Sequence, residues 1–242
     1  MNHTSDRDDL GVVICNIPRN DPELLDGFAL AGVSTVHEAQ GRSSYLGPEI
    51  RPRQDGISVA GNALTVLCHP GDNLMLHAAV ELCRPSDVLV VATTDRSPHG
   101  MFGELLATAV AARGVRALVI DSGIRDVAEL RAMGFPVWSR FVSSQGTVKE
   151  TAGWVNLPVS IEGVPINPGD VICADDDGVV VVARGRARDC LEKARGRLER
   201  ESLKRRRLAE GALSLDVDGI RDKLASLGVR YFADLDAYRS NG

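Results

Sequence analysis

Residues 87–93 read DVLVVAT, a nearly continuous apolar run, and residues 117–121 read ALVID. Strands as apolar as these are usually buried on both faces. Segments with helical spacing of apolar residues lie between and after them, at residues 102–113 and 126–133, and a shorter apolar stretch follows at residues 136–138. This alternation of strand and helix predicts an α/β domain.

The flanking segments extend the pattern in two ways. Toward the N-terminus, the sequence predicts a strand and a helix twice over, at residues 11–16, 21–31, 57–67 and 72–82. Toward the C-terminus, strand follows strand, at residues 155–161, 170–174 and 178–183. Between the last two, Asp175-Asp176-Asp177-Gly178 lacks the spaced ligands of an EF-hand, which favours a hairpin turn over a calcium loop. We therefore predict one mixed-sheet domain over residues 11–184.

The C-terminal part carries a strong local charge. Residues 186–210 hold ten Lys or Arg and five Asp or Glu, a balance of +5 that leaves −10 for the rest of the chain. The apolar residues among them favour a solvated helix docked along one stripe over a nucleic-acid-binding segment. That stripe consists of Cys190, Leu191, Ala194, Leu198 and Leu203. We expect a helical extension over residues 185–242, with a second short helix at residues 218–227.

Composition excludes several classes of protein. The 242 residues are 44% hydrophobic and 25% charged, with a formal net charge of −5, and no apolar run approaches the roughly 18 residues of a membrane span. Neither a membrane nor nucleic acid is therefore an expected partner, and a small-molecule substrate is. The five cysteines lack C-x-x-C spacing, which predicts free thiols. Residues 1–10 are polar and acidic, which predicts a flexible start and, without a signal-peptide pattern, a cytoplasmic location.

The densest polar cluster spans residues 100–129. A glycine-rich approach, GMFGE at residues 100–104, leads into the predicted helix that follows. Backbone N–H groups at the start of a helix bind carboxylates and phosphates, although the same residues could simply initiate the helix. The strand at residues 117–121 should then end in a tight Ser122-Gly123 turn and present Arg125 and Asp126, at the strand end where sites of α/β sheets gather.

Arg125 and Asp126 leave the backbone at nearly one point, so they either pair with each other or share a ligand. If Asp126 holds a divalent cation, Glu104 could add a carboxylate to the metal or its waters, and Arg125 could contact a bound 2-oxo acid. Oxygen ligands with retained waters suit Mg²⁺ or Mn²⁺. Glu129 lies one helical turn after Arg125 and is expected to be its i,i+4 partner.

Several blocks in this region together resemble a known enzyme family. They are Gly103-Glu104-Leu105-Leu106-Ala107, Arg113-Gly114, Val119-Ile120-Asp121, Arg125-Asp126 and Glu129. They look like the class II pyruvate aldolases that cleave 4-hydroxy-4-methyl-2-oxoglutarate and 4-carboxy-4-hydroxy-2-oxoadipate, and that share a fold with the regulator of ribonuclease activity A (RraA). The family's acid, twenty intervening residues and Arg-Asp are matched by Glu104 and Arg125-Asp126, with Glu104 where the family usually has Asp.

The likeness runs from about residue 11 to residue 216 and is strongest to the carboxy-hydroxy-oxoadipate branch. Its further blocks are TVHEAQGR at 35–42, PGDN at 70–73, PVWS at 136–139, QGTVKE at 145–150 and ADDDGV at 174–179. The resemblance implies an RraA-like, swivelling β/α fold. It also implies a homotrimer or homohexamer in which the C-terminal extension packs on a neighbouring subunit.

The resemblance implies a role for each matching residue. The amides that would bind the carboxylate of pyruvate are those of Gly103, Glu104, Leu105 and Leu106. Asp126 would bind Mg²⁺, or Mn²⁺ or another divalent cation, directly, and Arg125 would stabilise the developing enolate. Glu104 would reach the metal through water.

Further residues are implied at the outer part of the site. Glu201 of a neighbouring subunit would also reach the metal through water, with Glu199 as the alternative in register. His37 and Arg42, together with Glu38, could line the end of the pocket that holds the outer carboxylates of the substrate.

The implied reaction is retro-aldol cleavage of 4-carboxy-4-hydroxy-2-oxoadipate to pyruvate and oxaloacetate, and of 4-hydroxy-4-methyl-2-oxoglutarate to pyruvate, in protocatechuate- or gallate-type aromatic catabolism. Decarboxylation of oxaloacetate is the implied side activity. The alternatives are a non-catalytic regulator of ribonuclease E with the same fold and an enzyme whose main task is oxaloacetate decarboxylation.

The lysines give a separate test of the mechanism, because a Schiff-base aldolase needs a lysine in a dry pocket. The chain has only Lys149, Lys193, Lys204 and Lys223. The last three lie on or near the charged C-terminal helices, which leaves Lys149 as the one plausible imine former, and the sequence around it shows no sign of desolvation. The sequence itself therefore favours metal-dependent chemistry.

Overall fold

The computed structural model describes residues 10–240. The flexible start predicted for residues 1–10 lies, except for Leu10, outside the described residues. The chain divides into two compact units, Met1–Arg195 and Gly196–Gly242. Among the described residues, no helix is both long enough and apolar enough to cross a membrane.

The first unit alternates strands and helices and then adds hairpins. Its strands are β1 (Val12–Val13), β2 (Arg51–Pro52), β3 (Val59–Cys68), β4 (Asp87–Thr93), β5 (Gly100–Phe102), β6 (Ala117–Ile124), β7 (Val137–Val142), β8 (Trp154–Val155), β9 (Val159–Ile161), β10 (Val164–Ile166), β11 (Val171–Asp175) and β12 (Gly178–Val182). Its helices are α1 (Pro22–Ala31), α2 (Val33–Ala39), α3 (Leu74–Val80), α4 (Glu104–Ala111) and α5 (Val127–Ala132), and α6 (Ala187–Ala209) begins in it.

The main sheet is mixed, with strand order β1-β8-β3-β4-β6-β7-β2 and β5, β11 and β12 attached beside this path. Its centre, β3-β4-β6-β7, is parallel. Along β4, Leu89 and Val91 belong to a core cluster shared with helices α3 and α4, whereas Val88 and Val90 belong to a second cluster shared with β9 to β12. Burial on both faces explains the apolar run DVLVVAT and confirms the predicted α/β fold with its mixed sheet.

Two local predictions are wrong, and both failures arise from backbone geometry. The single strand predicted at residues 155–161 is interrupted, because Asn156 has a left-handed φ of 62° and Pro158 cannot donate a hydrogen bond. The tight Ser122-Gly123 turn does not form, because β6 continues through both residues. The Ser122 hydroxyl is buried and donates to Ser97 O at 2.8 Å. A Cβ on Gly123 would lie 2.5 Å from the backbone carbonyl oxygen of Pro98, so only glycine allows these two backbone segments to lie so close together.

The Asp175-Asp176-Asp177-Gly178 segment is a hairpin between β11 and β12, as predicted. Its carboxylates accept backbone hydrogen bonds. Asp175 accepts from the Val33 N–H at 2.8 Å and from the Asp177 N–H at 2.9 Å, and Asp176 accepts from the Gly56 N–H at 3.0 Å. Burial raises the pKa of the Asp175 carboxyl. These bonds account for the aspartates as structural acceptors.

Helix α6 confirms the predicted charged helix, with Ala187, Cys190, Leu191 and Ala194 buried. The predicted stripe does not continue as a buried face, since Leu203 is 56% exposed. The second unit contains the rest of α6 and the short helices α7 (Ser214–Val217), α8 (Arg221–Ser226) and α9 (Leu235–Ser240), and none of its described residues is buried. Helix α8 corresponds to the helix predicted at residues 218–227.

Candidate active site

Asp126 lies between the end of β6 and the start of α5. Its backbone is left-handed, with φ 56° and ψ 42°, a conformation that Asp and Asn tolerate better than other residues with a side chain. Its carboxylate does not cap α5. The preceding residue, Arg125, donates its N–H to Phe102 O at 2.9 Å, which ties this segment to β5. The two side chains are therefore presented beside the start of α4.

The Asp126 carboxylate contacts the N-terminus of α4 directly. Its Oδ2 accepts the Glu104 N–H at 3.1 Å and lies 3.6 Å from the Arg125 Nε. A Cβ on Gly103 would lie 2.3 Å from Asp126 Oδ2 and 3.0 Å from Arg125 Cγ. A side chain at position 103 would therefore displace the Asp126 carboxylate from the start of α4. The i,i+4 partnership predicted for Glu129 is wrong, since Arg125 pairs with its neighbour Asp126.

A cavity of about 220 Å³ opens at this point. It is lined by Asn73, His77, Gly100, Met101, Gly103, Leu105, Leu106, Arg125, Asp126, Gly146, Thr147 and Lys149. Five of the predicted site residues, namely Gly103, Leu105, Leu106, Arg125 and Asp126, are brought together here. The first turn of α4 supplies amides without an i−4 partner, and the lining holds one carboxylate against the cations Arg125 and Lys149. The cavity therefore suits a small anion.

Three polar lining residues received no role from sequence reasoning: Asn73, His77 and Thr147. They belong to the PGDN and QGTVKE blocks and to helix α3, and Lys149 was considered only as an imine former. Burial, with a contribution from the nearby Lys149 ammonium, lowers the pKa of His77, so that its imidazole is mostly neutral at pH 7. The Lys149 side chain is exposed, which agrees with the absence of a dry lysine pocket.

Asp72 holds the segment that carries Thr147 and Lys149 against α3. Its Oδ2 accepts the N–H groups of Glu150 at 2.8 Å and Thr151 at 2.7 Å, and its Oδ1 accepts the Leu74 N–H at 2.9 Å. Burial alone would raise the pKa of the Asp72 carboxyl, but these hydrogen bonds outweigh it and hold the pKa below its ordinary value. A short sequence motif, PGDN, thus joins two distant parts of the cavity wall.

The other predicted residues of the first unit do not line this cavity. The Glu104 side chain turns along its own helix, where Oε1 accepts the Thr108 hydroxyl at 3.1 Å. His37 lies beside Tyr45, with ring centroids 6.0 Å apart and the ring planes tilted by 53°, and Arg42 pairs with Glu38 at 2.9 Å. Glu201, in the second unit, pairs with Arg197 at 2.8 Å. The substrate and metal roles of these four residues, Glu104, His37, Arg42 and Glu201, stay predictions.

No cluster of three or more His, Cys, Asp or Glu side chains that could hold a metal occurs within residues 10–240. The described residues therefore offer single carboxylates rather than an all-protein metal cage. A larger cavity of about 700 Å³ has a mainly apolar lining that includes Leu67, Trp154 and Val159 and contains no Asp, Glu, Lys or Arg. Acid–base and anion-binding groups converge at the smaller cavity, which we take as the candidate active site.

Comparisons with known proteins agree with the fold and the motifs. The family model for RraA-like proteins (Aldolase/RraA) matches residues 22–181. A protein of Halalkalibacterium halodurans named "Putative 4-hydroxy-4-methyl-2-oxoglutarate aldolase" is 28% identical over 193 residues, covering 80% of this chain and 92% of that protein. An Albidiferax ferrireducens protein of the same name is 32% identical over 170 residues, covering 66% and 98%.

Among solved structures, Streptomyces coelicolor RraAS2, described as an unusual member of the RNase ES inhibitor RraA protein family, superposes with a TM-score of 0.70 at 30% identity. The match covers 78% of this chain and all of that one. The family model extends over most of the sheet and over every residue that lines the candidate active site. This chain belongs to the RraA-like (Aldolase/RraA) family.

Proposed function

We propose that this protein is a divalent-metal-dependent pyruvate aldolase. Its substrates would be 4-carboxy-4-hydroxy-2-oxoadipate, cleaved to pyruvate and oxaloacetate, and 4-hydroxy-4-methyl-2-oxoglutarate, cleaved to pyruvate, with oxaloacetate decarboxylation as a side activity. One observation carries the proposal: Arg125 and Asp126 face the first-turn amides of α4 across Gly103, inside a cavity that suits a small anion. The aldolase names of the relatives support the same reaction.

The residues present fit a divalent cation held by Asp126. Mg²⁺ is commonly bound through one or two carboxylates while it keeps several waters, so a single exposed aspartate is an adequate protein ligand. The Asp126 side chain is 39% exposed, which leaves room for water and for substrate oxygens. Mg²⁺ bound there, or Mn²⁺ or another divalent cation, would act as a Lewis acid toward the 2-oxo group.

The chain's own groups would bind the substrate and stabilise the charge that develops. The amides of Leu105 and Leu106, at the positive end of the α4 dipole, would bind the carboxylate of the 2-oxo acid. Arg125 would stabilise the negative charge on the enolate oxygen. In cleavage the C4 hydroxyl loses its proton, the C3–C4 bond breaks, C4 becomes a carbonyl carbon, and the bonding electrons form the enolate, which is then protonated at C3 to give pyruvate.

We also propose that the active protein is a homotrimer or homohexamer in the cytoplasm. Glu201 of a neighbouring subunit and Glu104 would then reach the cation through water, and His37 and Arg42 would contact the outer carboxylates. The second unit supports assembly, since it exposes large apolar side chains such as those of Leu213, Leu227 and Tyr231. Another copy of the chain would cover such surface.

The proposal is tested by pyruvate release in a lactate dehydrogenase coupled assay, compared with oxaloacetate decarboxylation. We expect both hydroxy acids to be cleaved with a higher kcat/KM than that of oxaloacetate decarboxylation. Lys149→Met removes one cation of the cavity and should raise KM, yet it should still release pyruvate, and borohydride should trap no adduct with pyruvate, because no imine forms. A higher kcat/KM for oxaloacetate would identify a decarboxylase. No turnover of any of the three acids with any divalent cation would leave a non-catalytic ribonuclease regulator as the better account.

A further inference from the structure

Asn73 is the N-cap residue of helix α3, yet its side chain does not cap the helix. An asparagine at this position ordinarily uses its side-chain oxygen to accept an N–H group of the first turn. Here the Asp72 carboxylate takes the Leu74 N–H at 2.9 Å, and the backbone carbonyl of Asn73 takes the Leu76 N–H at 3.1 Å. The Asn73 carboxamide is thereby left for another purpose.

The orientation of this carboxamide is fixed. Its Nδ2 donates to Met101 O at 3.0 Å, a carbonyl that can only accept, so the remaining polar atom is the Oδ1. Asn73 is 7% exposed, and its Oδ1 has no hydrogen-bond partner. Buried carbonyl oxygens without a partner are uncommon in native proteins. This one belongs to a residue that lines the same cavity as Arg125 and Asp126.

We propose that Asn73 Oδ1 accepts a hydrogen bond from the C4 hydroxyl of the substrate. The inference rests on the proposed function and names the group by which the site selects its substrates. At neutral pH a 4-hydroxy-2-oxo dicarboxylate has one hydrogen-bond donor, its hydroxyl, and otherwise only acceptors. Arg125, Lys149 and the α4 amides are donors and match those acceptors, whereas Asn73 Oδ1 matches the hydroxyl.

Asn73 is thus a specificity-determining residue for hydroxylated 2-oxo acids. Its hydrogen bond would orient the hydroxyl from which cleavage removes a proton. Oxaloacetate, pyruvate and 2-oxoglutarate lack that hydroxyl and cannot form the bond. The role of Asn73 should therefore appear in retro-aldol cleavage and be absent from oxaloacetate decarboxylation.

The test combines removal of the acceptor with removal of the donor, as in a double-mutant cycle. For Asn73→Ala, we expect kcat/KM for cleavage of 4-hydroxy-4-methyl-2-oxoglutarate to fall about 10- to 100-fold, since a buried hydrogen-bond partner is lost. Oxaloacetate decarboxylation and the Ki of 2-oxoglutarate should each change less than about threefold. Asn73→Asp keeps an acceptor oxygen but loses the donor to Met101 O, so its overall activity should fall while its ratio of cleavage to decarboxylation stays nearer that of the wild type than in Asn73→Ala.

The melting temperature of each variant is measured alongside. If Asn73→Ala does not fold, Asn73→Ser replaces it, because the serine hydroxyl is too short to reach the position of Asn73 Oδ1. An equal fall in cleavage and decarboxylation would overturn the inference and assign Asn73 a structural role. Unchanged cleavage in Asn73→Ala would overturn it as well. A wild-type protein that cleaves neither hydroxy acid would instead refute the proposed function, so the two failures are distinguishable.

Discussion

Replacing Asp126 by Asn should lower kcat/KM for pyruvate release by roughly a thousandfold or more, while the melting temperature changes by only a few degrees. Asn tolerates the left-handed backbone at φ 56° and keeps a side-chain oxygen for the Glu104 N–H. What it lacks is the negative charge that a divalent cation needs. The substitution therefore separates the charge of the residue from its structural role.

Two comparisons sharpen this experiment. Asp55→Asn removes an exposed carboxylate that does not line the cavity, and it should leave kcat/KM unchanged. Asp126→Ala should be as inactive as Asp126→Asn and also less stable by about 1 kcal/mol, because alanine is disfavoured in the left-handed region. Near-wild-type turnover by Asp126→Asn, with the Mg²⁺ requirement intact, would mean that another residue holds the cation.

Replacing Gly103 by Ala should lower kcat/KM by about a hundredfold. The new Cβ would lie 2.3 Å from Asp126 Oδ2 and 3.0 Å from Arg125 Cγ, so both side chains must move away from the start of α4. Moving groups of an active site by about 1 Å commonly lowers the rate by about two orders of magnitude.

Gly146→Ala is the matched control for Gly103→Ala, since Gly146 lines the same cavity and a Cβ there meets no heavy atom within 4 Å. Its kcat/KM and melting temperature should stay close to those of the wild type. The measurement is steady-state pyruvate release by both variants under the same conditions. If the two variants lost activity equally, the close packing of Gly103 against Asp126 would not be what sets the rate.

The fold could be predicted from the sequence wherever the signal is local. The run DVLVVAT is apolar because both faces of β4 are covered, and the turn of the Asp-Asp-Asp-Gly segment is supported by a local bond from the Asp177 N–H to the Asp175 carboxylate. The predicted Ser122-Gly123 turn failed for a non-local reason. Its glycine is required by the carbonyl of Pro98, which belongs to another segment of the chain.

The candidate active site shows the same limit. Gly103, Arg125 and Asp126 could be named because they belong to one motif with a fixed spacing, in which twenty residues separate Gly103-Glu104 from Arg125-Asp126. Asn73 and Lys149 reach the same cavity through non-local contacts, among them the hydrogen bonds by which Asp72 holds residues 150 and 151. A carboxylate that accepts amides from a distant segment leaves no periodic pattern, so local reasoning could not assign these residues to the site.

Side-chain direction was the other unpredictable feature. The spacing of Glu104 from Arg125-Asp126 predicts a shared metal site, and that role stays a prediction; in the structure the Glu104 carboxylate accepts the Thr108 hydroxyl and the Glu104 N–H donates to Asp126. Both outcomes have the same spacing in sequence, because spacing constrains the backbone and not the rotamer.

The most direct test of the central claim is metal dependence of cleavage by the wild-type protein. Pyruvate release from 4-carboxy-4-hydroxy-2-oxoadipate is measured after treatment with EDTA and again after Mg²⁺ is restored in excess. We predict that EDTA abolishes turnover and that Mg²⁺ restores it in the wild type but not in Asp126→Asn. Turnover that persists at the wild-type rate in EDTA would contradict a metal-dependent aldolase at Asp126.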